Sequence, residues 1–149
     1  MRHLIYCSIV FFLLFVSCKK KSGEEISKEP SIEFIAVSAV KVEQFKDTVT
    51  VSLKYKDNNG DLGFESPDEY ALYVKDSRLN NPDWYHVSPQ APLNKELFIE
   101  GELRIKLKPL FLLGNSKQET ITYTIKIKDR EGNWSNQIIT PVITVHDTI

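Results

Sequence analysis

The chain is 149 residues long, 42% hydrophobic and 26% charged, with 19 basic against 20 acidic side chains and a formal net charge of -1. That length and apolar share match one globular domain and exclude a collagen-like, coiled-coil or wholly disordered chain. Balanced charge leaves no excess Lys and Arg to track a phosphate backbone, which argues against a nucleic-acid partner.

Met1, Arg2 and His3 make a short basic start, and residues 4–17 (LIYCSIVFFLLFVS) then run without a charge up to Cys18, Lys19, Lys20 and Lys21. A run of fourteen residues falls short of the about 20 that a membrane-spanning helix needs. It therefore reads as the apolar region of a signal peptide over residues 1–17. Phe15-Val16-Ser17-Cys18 resembles the lipobox of bacterial lipoproteins, with Phe at the position usually held by Leu. That resemblance implies that Cys18 is the lipidation site and the first residue of the mature chain. An ordinary secretory signal ending in Cys is the alternative.

Only Cys7 and Cys18 occur, so a chain cut before Cys18 and acylated there has no free thiol and no disulfide. Loss of Arg2 would leave 18 basic residues against 20 acidic ones. Each buried methylene of an acyl chain contributes about 0.8 kcal/mol, so the two or more chains of a lipoprotein give durable membrane anchoring. The expected address is the outer membrane of a cell envelope, facing either the periplasm or the outside. Residues 18–30, Cys18 followed by KKKSGEEISKEP, have no apolar periodicity and end in Pro30, as expected of a flexible tether. Lys19, Lys20 and Lys21 either touch anionic headgroups or form a solvated flank.

From Ser31 onward the period is two. Residues 48–56 (TVTVSLKYK) put Val49, Val51, Leu53 and Tyr55 on one face, and residues 119–128 (ETITYTIKIK) do the same with Ile121, Tyr123, Ile125 and Ile127. A 3.6 period would select a poor apolar stripe, whereas alternation with β-branched residues suits a half-buried strand. Weaker strands are expected over 32–42, 70–75, 84–87, 102–108 and 137–145. Seven strands separated by Gly, Pro, Asn and Asp predict an all-β domain over 31–149, an antiparallel sandwich of two sheets.

Two segments carry a family resemblance. Residues 128–135 (KDREGNWS), between two expected strands, resemble the last hairpin of bacterial immunoglobulin-like and fibronectin type III-like modules. Residues 57–63 (DNNGDLG) resemble the D-x-D-G-D-L-G segment of small Bacteroidota lipoproteins of unknown role. The resemblance implies an immunoglobulin-like strand order. The Cys pair and third-strand Trp of antibody domains are missing.

In that order the second and sixth strands run the same way and end at Lys56 and Lys128, so the loops after them share one end of the sandwich. Asp57, Asn59, Asp61 and Glu65 would then meet Asp129, Glu131 and Asn133, an oxygen-rich set of the type that holds a hard cation such as calcium. Asp57, Asn59, Asp61, Glu65, Asp129 and Asn133 are the candidate calcium ligands. The EF-hand template fails, because Leu62 falls at its sixth position and Asp68 at its twelfth. The competing reading is turn chemistry, with Asn59-Gly60 and Gly132-Asn133 supplying positive φ and the Asp side chains accepting local backbone hydrogen bonds. The first strand would begin at this same end, so the tether joins there and the 109–118 connection points away from the membrane.

Trp84 and Tyr85, flanked by Pro82 and Pro89, are candidate ligand-binding rings. Alternatively they cap the core beside Tyr70 and Tyr73, and Trp134 is expected to be a packing residue. Leu110-Phe111-Leu112-Leu113 either plugs the open base or forms an exposed partner patch. Asp47-Thr48-Val49 and Asp147-Thr148-Ile149 resemble the O-glycan acceptor of exported Bacteroidota proteins.

After cleavage two histidines remain, His86 and His146, with no nucleophile or metalloprotease motif. No catalytic residues and no required cofactor are therefore expected, with calcium as an option. The first functional expectation is a non-catalytic, membrane-anchored interaction module with an unknown envelope partner. The second is a carbohydrate-binding lipoprotein using Trp84 and Tyr85, dependent on calcium or not.

Overall fold

A computed structural model describes residues 27–148, which form ten strands and no helix. The signal-like run, Cys7, the lipidation candidate Cys18, Lys19 to Lys21 and Ile149 lie outside the described residues. In chain order the strands are β1 (Ser31–Val37), β2 (Lys41–Glu43), β3 (Thr50–Asp57), β4 (Leu72–Asp76) and β5 (Asp83–Tyr85). They continue as β6 (Ile99–Lys106), β7 (Gln118–Ile121), β8 (Tyr123–Ile127), β9 (Ile138–Ile139) and β10 (Ile143–His146).

One layer is antiparallel, in the order β1-β3-β6, and the other runs β5-β4-β8-β9 and continues as β7-β10-β2. Ile125 pairs with Ile138 and Ile121 with Ile143, so one hairpin crosses the break at Thr122 and residues 140–142 with its register slipped by one. Pro141 sits in that break, where it has no N–H to give the ladder. With β1 in one layer and the β8 hairpin in the other, this is a two-layer β-sandwich, antiparallel except for the β2–β10 pair, as the alternation predicts.

The expected single strand over 32–42 is two strands in different layers. β1 pairs antiparallel with β3, whereas β2 pairs parallel with β10. The chain changes layers at Ser38, whose amide donates to the Thr50 carbonyl at 2.9 Å while its Oγ accepts the Thr50 amide at 2.9 Å. These two bonds end the β1 ladder and free residues 39–40 to cross. The period-two signal has no way to show such a crossing, because both halves stay extended.

Val49, Val51, Leu53 and Tyr55 from the β3 segment pack against Leu72, Val74, Tyr123, Ile125, Ile127, Ile143 and Val145 in one continuous core. The 110–113 run divides by the same parity. Leu110 is buried and Leu112 packs on the core, so these two plug the base, while Phe111 is exposed and stacks on Phe45 at 5.6 Å.

At that base, Arg78 donates to Asp76, to Glu119 and to the Phe111 carbonyl. Glu119 also accepts the amides of Leu113 at 3.1 Å and Gly114 at 2.9 Å. Those two amides first, and Arg78 after them, hold the Glu119 carboxyl below its ordinary value. A carboxyl depressed in the folded state adds stability above its unfolded pKa of about 4.3, and that stability is lost as pH falls through the folded value. Denaturant midpoints followed downward through that window are expected to fall less steeply for Glu119→Gln than for the parent chain. Equal slopes would show that Glu119 contributes nothing to the acid sensitivity.

Candidate functional site

Strand alternation carries two carboxylates into the interior. The inward phase of β3 (Val51, Leu53, Tyr55) continues to Asp57, and that of β8 (Tyr123, Ile125, Ile127) continues to Asp129. Both Asp side chains are buried at the same end of the sandwich. The loops that follow are joined there: Leu62 bridges Asp129, and the amides of Arg130 and Glu131 donate to the Asp61 carbonyl and to Asp61 Oδ2, both at 3.2 Å. The chain also enters the domain at this end, with Ser31 paired to Lys56 and Asn58 Nδ2 donating to the Ser27 carbonyl at 2.6 Å. The first strand therefore begins at the acidic-loop end, as its expected direction implies.

The six candidate calcium residues separate into three kinds. Asp129 has both oxygens engaged by Asn133, one by its amide at 2.7 Å and the other by Nδ2 at 2.9 Å, so this pair builds a turn. Glu65 is exposed and makes no hydrogen bond among the described residues. Asp57, Asn59 and Asp61 each keep one shielded side-chain oxygen with no hydrogen-bond donor: Asp57 Oδ2, Asn59 Oδ1 and Asp61 Oδ1. Their other contacts are turn bonds, among them the Asn59 amide to Asp57 Oδ1 at 3.3 Å. Burial first, then the nearby charges of Asp129 and Asp57, push the Asp61 carboxyl above its ordinary value. Arg130 does not neutralise these carboxylates through hydrogen bonds, because its guanidinium donates to the carbonyls of Gly63 at 2.8 Å and Gly60 at 3.3 Å.

The aromatic candidates lie on the second layer, where they face opposite ways. Trp84 and Tyr85 are neighbours on β5 and therefore point to opposite faces. Trp84 is 44% exposed on the outer face, whereas Tyr85 is half-buried and packs against the core, its hydroxyl accepting the Lys108 amide at 3.3 Å. The two rings form neither a shared platform nor a shared core cap, and Tyr70 is exposed.

Trp84 instead joins Tyr73, which the sequence places beside the core, and Trp134, expected to be a packing residue. Tyr73 is registered opposite both Trp84 and Lys126, and Trp134 bridges to Lys128. Tyr73 meets Trp84 edge-on with centroids 5.5 Å apart, and the Trp84 and Trp134 centroids are 6.1 Å apart. Lys126 Nζ lies 4.9 Å from the Tyr73 centroid and 4.8 Å from that of Trp134, and Lys128 Nζ lies 5.8 Å from Trp134. The outward positions of β4 and β8 are Tyr73, Lys75, Thr124 and Lys126, with no carboxylate among them. The result is a basic, aromatic surface. Its outward phase is legible in the alternation, but the pairing that gathers Tyr73, Trp84 and Trp134 exists only once β4, β5 and β8 are in register. Thr48 and Thr148, the two acceptor-like positions, are both exposed.

No protein-family model matches the chain, and no curated protein matches it. Among solved structures, a mutant of the SrpA adhesin from Streptococcus sanguinis resembles it with a TM-score of 0.33 and 17% identity, over 83% of this chain and 59% of that one. The chain thus spans less than two thirds of that structure's length, and at that TM-score the likeness carries no argument about what this protein binds.

Proposed function

We propose that the chain is a lipid-anchored, non-catalytic binding module of the cell envelope whose contact surface is the outward face of β5, β4 and β8. The observation that supports this reading is the clustering of Tyr73, Trp84 and Trp134 with Lys126 and Lys128 beside their rings on one solvent-facing side. Rings supply stacking surface and ammonium groups supply anion contacts, so the partner best suited to this face is an acidic polysaccharide. Anchoring through Cys18 and membership among small Bacteroidota lipoproteins rest on the lipobox-like run and the DNNGDLG loop. Acyl mass on the N-terminal peptide of envelope-extracted protein tests the first of these, and an unmodified Cys18 rejects it.

Trp84 and Trp134 are the two tryptophans of the sequence, so intrinsic emission reports directly on the proposed surface. Titration with heparin or alginate is expected to change that emission saturably and in a salt-sensitive way, while neutral dextran leaves it unchanged. Lys126→Ala is expected to weaken the response about tenfold, equivalent to about 1.4 kcal/mol. Emission that ignores every acidic polysaccharide tried, with the fold intact, would remove the carbohydrate reading.

A further inference from the structure

A second site lies at the acidic end of the sandwich, away from the aromatic face and independent of it. Asp57 is 1% exposed, and its Oδ2 has no donor. Asn59 Oδ1 and Asp61 Oδ1 are equally shielded and equally without a donor. A buried acceptor left unsatisfied is unfavourable by about 1–3 kcal/mol, and more when it is charged. Three of them within five residues of one loop, two being carboxylate oxygens, make this loop a place where an electropositive occupant is favoured.

Gly60, at φ +71°, turns the chain between Asn59 and Asp61. Asp129 adds a third negative charge close enough to act on Asp61. A cleft of about 370 Å³ lined by Asn59, Asp61, Lys95, Glu96, Arg130 and Glu131 adjoins the loop and provides an entry path.

The donor chemistry selects among cations. Among the described residues, no three His, Cys, Asp or Glu side chains are gathered as a metal cluster, so a third ligand has to be the Asn59 amide carbonyl. Two carboxylates and an amide oxygen form a hard set that suits neither zinc nor copper. Calcium accepts six to eight such oxygens in flexible geometry and completes its shell with water, whereas magnesium demands near-octahedral ligands and gives up its water reluctantly.

We propose that Asp57 Oδ2, Asn59 Oδ1 and Asp61 Oδ1 are the protein ligands of a calcium ion that clamps the β3 loop against the β8 loop. The same loop that makes the turns would then also bind the ion, because the turn bonds occupy Asp57 Oδ1 and Asp61 Oδ2 and leave the opposite oxygens free.

The test is calorimetric titration of chelator-treated full chain with calcium chloride, together with its melting temperature. Expected are saturable one-site binding, in the range of about 10⁻⁴–10⁻³ M typical of extracellular calcium modules, and a rise in melting temperature that magnesium does not reproduce. Asp57→Asn is expected to lose at least about tenfold in affinity. With no calcium present it should melt no lower than the parent, since it removes an unpaired buried charge. A purely structural Asp57 would lower that melting point. Should Asp57→Asn fail to fold, Asn59→Ala is expected to lose the calcium response while retaining the fold, and Glu65→Gln to retain both. Absence of heat and of a melting shift at millimolar calcium, an equal response to magnesium, or an undiminished response in Asn59→Ala would each overturn the assignment.

Discussion

Alanine at Gly63 is expected to destabilise the domain by about 3–4 kcal/mol, from left-handed backbone strain of about 1–2 kcal/mol plus the loss of two hydrogen bonds at about 1 kcal/mol each. Gly63 has φ +88°, and a Cβ added there would lie 2.7 Å from the Ser88 carbonyl carbon and 2.9 Å from the Val87 oxygen. Both obstacles are backbone, so no side-chain rotation relieves them. The obstructing segment is pinned on either side, by the Phe64 amide on the Val87 carbonyl at 2.8 Å and the Gln90 amide on the Leu62 carbonyl at 3.0 Å. Retreat of the segment breaks one or both bonds and loosens Leu62 and Val87, which are core residues. Urea denaturation reads the loss as a lower midpoint with an unchanged slope. A Gly63→Ala midpoint within experimental error of the parent would mean that this approach of the two segments does not exist. The second Gly of DNNGDLG is thus a packing requirement of the fold, whatever the loop binds.

Ile125→Ala is expected to destabilise by about 3 kcal/mol, within the range of about 2–5 kcal/mol for emptying a fully buried Ile. Ile125 has no exposed surface and lies at the middle of β8, between Val74 of β4 and Ile138 of β9. Val74 is also paired to β5, so that wall cannot close freely on the cavity. Its natural control is Ile139, which is on the same hairpin but 59% exposed. Ile139→Ala is expected to change stability by less than about 0.5 kcal/mol. Comparable losses at the two positions would contradict the assignment of faces to β8 and β9.

The core was legible because alternation places residues one by one. Val51, Leu53, Ile125 and Ile127 occupy the inward phase that their spacing assigns, and that same phase, extended by one step, reaches Asp57 and Asp129. Trp84 and Tyr85 show the limit of such reading: as adjacent residues they invite a joint role, yet a pleated strand sends them to opposite sides. The candidate cation loop was legible as a set of oxygen-bearing side chains. Which of their oxygens remain free depends on donors from elsewhere, such as the Glu131 amide for Asp61 and the Asn133 side chain for Asp129.

Local period and side-chain chemistry were enough to give the class of the domain and the facing of its longest strands. Tertiary structure alone decided that residues 31–43 divide between two layers, that Tyr73, Trp84 and Trp134 share one surface with Lys126, and that Asp129 is satisfied while Asp57 is not. Each of these outcomes depends on pairing between segments far apart in the chain. Such pairing is selected by burying all the inward faces together, and no single segment encodes it.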